Sequence, residues 1–404
     1  DVSRCFPSIY THSIPWAING KIQAKRDSNY ESIEVHGNRL DFIFRQAQQR
    51  QTIGIPVGPD TSRITSELIL SAVDKDFLLH QASPRFTYLR HVDDYWVGAN
   101  NLEDCEKLLA QLRKSLRSYE LDTNEFKTKI STTNNIFGES WPSEFERELK
   151  QSLGTHDRNS IVATLGKVIE RATSENDDGM IRHAIRKLDE GRYWSKEWDI
   201  LEHFLAQCAV QFPHSFDYVA RVISWRKRTE AGLDEELWKD VTQDVAHTSS
   251  SLGRDAEALW SLWLMKELKL RISKKLSDSI IDNNGAIVRG YLAHAYANGA
   301  TSDRRISAGL WSSVDGNVYS GPDWPLTLEL MHLDIKPAMP VKAKGEDQLR
   351  HLHDKQATLV EWSASPLVFA SGNDDDPEKA IEDFASEYDS DDDFEVENDA
   401  ILEW

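Results

Sequence analysis

Cysteine is scarce. The chain has 404 residues and only three thiols, Cys5, Cys105 and Cys208. That number and spacing build neither a disulfide framework nor a zinc site. The scarcity points to a reducing compartment, the cytoplasm. Long apolar runs are missing as well. No stretch reaches the roughly eighteen residues of a membrane span, and mean hydropathy is −0.54, so no membrane partner is expected. The chain opens Asp1-Val2-Ser3-Arg4, with no initiator Met, basic segment or apolar segment. No signal peptide is visible, and the sequence reads as a fragment or a processed form. Basic residues are short too, with 47 Lys and Arg against 67 Asp and Glu. The net charge of −20 argues at first against nucleic acid.

That deficit is local. Residues 374–404 carry fifteen acids and the single Lys379, a balance of −14. Residues 1–150 hold 19 basic and 21 acidic residues and are nearly neutral. Global charge therefore does not exclude a nucleic-acid partner for the first part. An apolar content of 40% with 13 Trp supplies a sizeable core, and the length suits two or three domains.

From the start, Val2 and its neighbours suit a strand, Pro7 interrupts it, and Ser8 suits the cap of a helix near Ile9. Trp16 to Lys25 reads as a short helix or loop with a basic end. Asn38 to Gln51 has helical spacing at Leu40, Ile43 and Phe44. Gln51 to Ser62, punctuated by Gly54, Pro56, Gly58 and Pro59, is a loop that feeds an apolar helix, Ile64 to Leu79. Such a loop can bring backbone N–H groups to a phosphate or a base, though most simply connect elements.

Next comes Tyr88-Leu89-Arg90-His91-Val92-Asp93-Asp94-Tyr95-Trp96-Val97-Gly98. Aromatic and β-prone residues on both sides of an acid pair predict a hairpin with a tight turn. Adjacent carboxylates repel, and a divalent cation is the usual compensation. An ordinary solvated Asp-Asp turn is the alternative. Leu102 to Leu116 reads as a helix, and Leu121 to Ile130 as a turn and a short strand. The order suits an α+β domain with an antiparallel sheet.

After Pro142 helical spacing takes over. Examples are Ile181, Ala184, Ile185 and Leu188, then Trp198, Leu201, Leu205, Cys208 and Phe212. HEAT-like helix pairs and an ordinary helical domain stay open as alternatives. The chain turns polar after Pro340, and from Asn373 it is acidic, the composition of a disordered tail.

Asp1, the Gly54/Gly58 loop, Asp93-Asp94 and the Asn124-x-x-Lys127-Thr128 segment stand in one order within 130 residues. That order resembles the reverse transcriptases, in which an acidic strand, a loop-helix, a Y-x-D-D hairpin and an Asn-x-x-Lys-Thr segment follow one another. The resemblance covers about a third of the chain. It implies a polymerase palm over 1–140 with its fingers truncated. A helical domain over 141–340, a polar linker over 341–372 and an acidic tail over 373–404 would follow.

By the resemblance, Asp1, Asp93 and Asp94 would hold two Mg²⁺ ions (Mn²⁺ being an alternative), as nucleotidyl transfer requires. Alternation along a strand implies that the turn reorients Asp94, or that Asp94 contributes less than Asp93. The Val2 carbonyl would add a ligand. Phe6 would be a steric gate against the ribose 2′-hydroxyl, a core Phe being the other reading. Lys127 would face the nucleotide phosphates and protonate pyrophosphate, a solvated Lys being the other reading. Gln51, Gly54 and Gly58 would approach nucleotide and template. His12 and His91 read as packing or hydrogen-bonded residues.

Implied partners are an RNA template, the DNA product and dNTPs, with a homo-oligomer a further expectation. Three departures stand out: Val57 where the family's loop has Gln, Ser62-Arg63 where Ser-Pro is common, and His91 for the Tyr of Y-x-D-D. These put template contacts and fidelity in doubt. With no fingers segment before Asp1, residues 1–404 alone are expected to polymerise poorly or not at all. A palm followed by a long helical part looks most like the bacterial abortive-infection and defence reverse transcriptases, some of which polymerise without a template or prime from a protein Tyr. A non-catalytic nucleic-acid-binding scaffold is the competing class.

Overall fold

The computed structural model describes residues 1–80, 85–132, 141–155, 157–301, 305–314, 321–336 and 346–363. The expected acidic tail and most of the region around Pro340 lie outside the described residues. The chain divides into two compact units, Asp1–Glu139 and Ser140–Trp404. It is mostly helical, with one small antiparallel sheet among the described residues.

The first unit is built on the helix Asp60–Leu79. It follows four shorter helices, Cys5–Ser8, Ser13–Asn19, Lys21–Arg26 and Gly37–Ala47. We number these α1 to α5 in chain order. Ile69, Leu70, Val73 and Phe77 recur at helical spacing and are fully buried. Each contributes roughly 1.5–3 kcal/mol by leaving water. The buried stripe of Leu102–Ser118 (α6), made by Leu108, Leu112 and Leu116, packs against α5. Asn101 caps α6 by accepting the Asp104 N–H at 2.8 Å. Ser115 of α6 donates to Asp76 of α5 at 2.7 Å.

Between these helices in sequence lie β1 (Phe86–His91) and β2 (Asp94–Ala99), the expected hairpin. The register pairs Phe86 with Ala99, Tyr88 with Val97 and Arg90 with Tyr95 on the face packed inward. Thr87–Gly98, Leu89–Trp96 and His91–Asp94 form the outward face. Phe77 of α5 meets Phe86 edge-on at 5.7 Å between ring centroids.

Three local expectations need correction. Residues 1–10 do not form a strand followed by a helix at Ile9. Val2 makes a single bridge to Thr123, α1 then occupies Cys5–Ser8, and Tyr10 bridges Ile53. Pro7 fits inside that one turn because a first-turn N–H has no intrahelical partner to lose. Residues 121–130 hold one bridge residue and then a turn: the Asn124 carbonyl accepts from the Lys127 and Thr128 amides at 3.2 and 2.9 Å. The expected linker 341–372 contains a helix, Glu346–Asp354, followed by Val360, which is buried in the core of the second unit.

That second unit alternates in two layers. Its helices are α7 (Trp141–Thr155), α8 (Arg158–Glu175), α9 (Gly179–Glu190), α10 (Trp198–Gln211), α11 (Phe216–Arg228) and α12 (Glu235–Ser251). They continue with α13 (Asp255–Glu267), α14 (Lys274–Asn283), α15 (Ala286–Ala297), α16 (Ile306–Ser312), α17 (Trp324–His332) and α18 (Glu346–Asp354). Odd-numbered helices from α7 to α17 stack on the next odd one, and even-numbered helices from α8 to α16 on the next even one. The expected stripes form the core: Ile181, Ala184, Ile185, Leu188, Leu201, Leu205 and Cys208 are all fully buried. Among the described residues, no helix is long and apolar enough to cross a membrane. All three cysteines are free, and burial pushes the Cys208 thiol well above its usual range.

Glu329 of α17 ties the C-terminal segment to this core. It is 1% exposed. It accepts from His294 of α15, the Thr358 hydroxyl and the Leu359 amide. Burial alone would raise its pKa. The bonds from His294, Leu359 and Thr358 outweigh burial and hold the carboxyl below its usual range. A lowered folded value contributes stability that is complete above the ordinary Glu value of about 4.3 and is lost as pH falls through the folded value. Replacing Glu329 by Ala should cost about 3 kcal/mol in urea unfolding near neutral pH. That difference should shrink below pH 4. A cost that does not change with pH would assign Glu329 a packing role only.

Candidate active site

Residues 1–3 run between two other segments. The Val2 N–H donates to the Asp93 carbonyl at 3.0 Å, and the Ser3 N–H donates to Asp122 at 2.8 Å. The Asn124 N–H in turn donates to the Asp1 carbonyl at 2.8 Å. Three stretches far apart in sequence are thereby fixed side by side. Asp94 Oδ1 lies 3.9 Å from the Asp1 amino nitrogen. Lys127, oriented by the turn on Asn124, places Nζ 2.7 Å from Asp1 Oδ2. Asp1, Asp93, Asp94 and Lys127 are thus brought to one place.

Asp1 is 13% exposed and Asp94 53%. The hairpin's alternation explains the difference: Asp94 opens β2 on the outward face, beside His91. The expected reorientation of Asp94 has no counterpart here, and Asp93, within the turn, is the more sheltered of the pair. Among the described residues, no group of three or more His, Cys, Asp and Glu stands close enough to hold a metal ion unaided. The donor set still suits magnesium, which commonly takes one or two carboxylates and completes its shell with waters and substrate phosphates.

The loop residues are held from several sides. The Gly54 N–H donates to the Ile9 carbonyl at 2.8 Å and the Ile55 N–H to the Phe6 carbonyl at 3.0 Å. Phe6, half-buried, therefore sits against the loop that carries Gln51 and Gly54. Gln48 donates to the carbonyls of Gln51 and Gly54 at 3.0 and 2.8 Å. Gly54 has φ +88°, and a Cβ there would lie 3.2 Å from the Pro7 carbonyl oxygen. Gly58, with φ +111°, has open space around it. Its conformation alone calls for glycine. Val2 is buried in the core. Asp60 sits in the first turn of α5 and already complements that helix's dipole, so the N-terminus is a poor phosphate cradle. His12 is hydrogen-bonded as expected, to Asp41 at 2.9 Å. His91 instead is exposed.

The sequence reading missed the groups beneath the turn. Arg90 is 8% exposed. It donates from Nε to Asp74 at 2.8 Å, through Nη1 and Nη2 to Glu67 at 2.7 and 2.5 Å, and from Nη1 to the Val92 carbonyl at 2.7 Å. Tyr88 and Tyr95 both donate to Asp74. Burial first, and then Asp74, raise both phenols well above their usual range, so they remain donors. Cys5 lies buried nearby, its thiol pushed up to about 11 chiefly by burial. The available signal was on α5, where Glu67 and Asp74 are acids two turns apart on the same helix.

Neither a family model nor a curated protein matches the chain.

Gly54→Ala should lower stability by roughly 1–3 kcal/mol, the cost of forcing a side chain into this backbone conformation. Gly58→Ala should carry only the conformational part, because nothing crowds its Cβ. Equal losses in thermal or urea unfolding would show that the approach of Pro7 is not limiting.

Proposed function

We propose that the chain is the palm-containing part of an RNA-directed DNA polymerase. What supports this most is the set of backbone bonds that carries Asp1 to the Asp93–Asp94 turn and to Lys127, in the order the reverse-transcriptase pattern requires. Asp1, Asp93 and Asp94 would hold Mg²⁺ together with nucleotide phosphates. When bound, the metal supplies charge neutralisation at the attacking 3′-oxygen and the leaving pyrophosphate.

The protein groups have separate tasks in this reading. The Lys127 ammonium is 69% exposed, so it is free to leave Asp1 for an incoming triphosphate and to give a proton to pyrophosphate. Phe6, half-buried and packed beside the Gly54 loop, would act as the steric gate against a ribose 2′-hydroxyl. Gln51 and Gly58 are exposed and would approach nucleotide and template, Gln51 through its side chain and Gly58 through its backbone. The two-layer stacking of α7 to α17 supports a HEAT-like scaffold for the second unit. A role in bacterial antiphage defence rests on the resemblance alone, as does template-independent or protein-primed synthesis. The competing class is a non-catalytic nucleic-acid-binding scaffold.

The deciding measurement is incorporation of labelled dNTPs by the full-length protein with Mg²⁺, with and without an RNA template. Asp93→Asn should reduce incorporation to background. Lys127→Ala should lower it by about 100-fold. An Asp93→Asn protein as active as the parent would overturn the assignment. A parent that binds RNA or DNA without incorporating dNTPs would favour the scaffold. Equal incorporation with and without RNA would select template-independent synthesis.

A further inference from the structure

The hairpin turn carries a conformation that its own residues do not favour. Val92 has φ 51°, in the left-handed region. For a β-branched residue this is an outlier, and it persists only where surrounding contacts over-determine it. Positive φ at the first turn position alone matches the type II′ pattern, whose usual residue there is glycine. Without glycine, the turn needs an external restraint.

Arg90 supplies that restraint. Its guanidinium reaches two residues along the chain to the Val92 carbonyl at 2.7 Å. Its remaining contacts fix it, through Glu67 and Asp74, to α5, the helix that carries the buried Ile69, Leu70, Val73 and Phe77. The Tyr88 and Tyr95 hydroxyls occupy the other oxygen of Asp74. The planar fork of arginine is satisfied on two sides at once, which an ammonium could not do. On the other side of Val92, the Asp93 carbonyl takes the Val2 N–H. The turn is thus clamped between Arg90 below and the strand-like residues 1–3 beside it.

We propose that Arg90 is a positioning residue for the Asp93 and Asp94 carboxylates. Anchored by Glu67 and Asp74, it holds the strained Val92 turn in the one geometry that sets those acids beside Asp1. This rests on the polymerase reading for its catalytic consequence and on the turn geometry for its structural one. A shift of about 1 Å in such a turn is enough to cost a large factor in rate. Groups that orient metal-binding carboxylates typically matter by about 10- to 100-fold.

The test uses the full-length protein with Arg90→Lys and Arg90→Gln, and Glu67→Gln as a milder variant for the case where Arg90 replacements fold poorly. Expected for Arg90→Lys is a kcat for dNTP incorporation lower by about 10- to 100-fold. The dNTP KM should be little changed, and half-maximal rate should need more Mg²⁺. Glu67→Gln should shift in the same direction by less. A merely structural role would lower the active fraction without moving the Mg²⁺ requirement, and that result overturns the catalytic part. Hydrogen exchange at the Asp93 and Asp94 amides separates the two levels. If the parent protein incorporates no dNTP, the polymerase reading fails. Exchange accelerated by about tenfold or more in Arg90→Gln, with the α5 amides unchanged, would still establish the clamp. Exchange identical to the parent's overturns it.

Discussion

The first unit depends on three backbone hydrogen bonds. Val2 to Asp93, Ser3 to Asp122 and Asn124 to Asp1 place residues 1–3 between the hairpin turn and the segment after α6. These contacts close loops of roughly ninety and thirty residues, which is entropically unfavourable in the unfolded chain. The bonds themselves do not offset that cost. The apolar face of α5, with Ile69, Leu70, Val73 and Phe77 out of water, and the stripe of α6 beneath the hairpin do so. Burial of two helices therefore holds backbone from different parts of the chain together. Polar geometry at the surface is set by apolar packing one layer below.

The two cations near these acids behave differently because they differ in exposure. Arg90 is almost wholly buried and spends its donors on two carboxylates and a carbonyl. It cannot leave without taking a donor from the sheltered Asp74 and from the Val92 carbonyl. Lys127 is mostly in solvent and touches a single acid. A pair whose cation lies in solvent is screened and exchanges more easily than a buried one. One cation thus belongs to the scaffold, while the other remains largely in solvent. The contrast follows from where each residue sits: Arg90 is on the inward face of β1, and Lys127 is on an exposed turn.

Periodic features were legible in the sequence. The helix with Leu40, Ile43 and Phe44, the helix after the Gly54–Pro59 loop, α6 and the stripes of α9 and α10 all repeat an apolar residue at helical spacing. The hairpin was legible from its aromatic flanks. Illegible were the places where pairing is single. Val2 and Thr123 each make one bridge, and no alternating pattern marks a one-residue contact. The polar stretch near 341–372 hid a helix followed by a buried residue, because its apolar anchors, Leu349 and Val360, are spaced too widely to register as a face. At the site, the acids and Lys127 were found by their order along the chain. Arg90 was not, because a guanidinium that joins a strand to the helix before it has no period in sequence.

The turn at Val92 shows why such contacts carry information that composition does not. Glycine there would relieve the backbone cost, about 1–3 kcal/mol for a residue held in a sparsely populated region. It would also give the loop many conformations, since glycine visits both signs of φ with equal ease. Valine reverses the trade. Its left-handed state is poor on its own and is held only while Arg90 binds the carbonyl and residue 2 binds the next one. A turn of that kind is either in place or lost, with few partly correct states between. For two acids that must meet a third across about ninety residues of chain, that narrowness is the useful property. It arises from an intolerant residue and a buried guanidinium acting together.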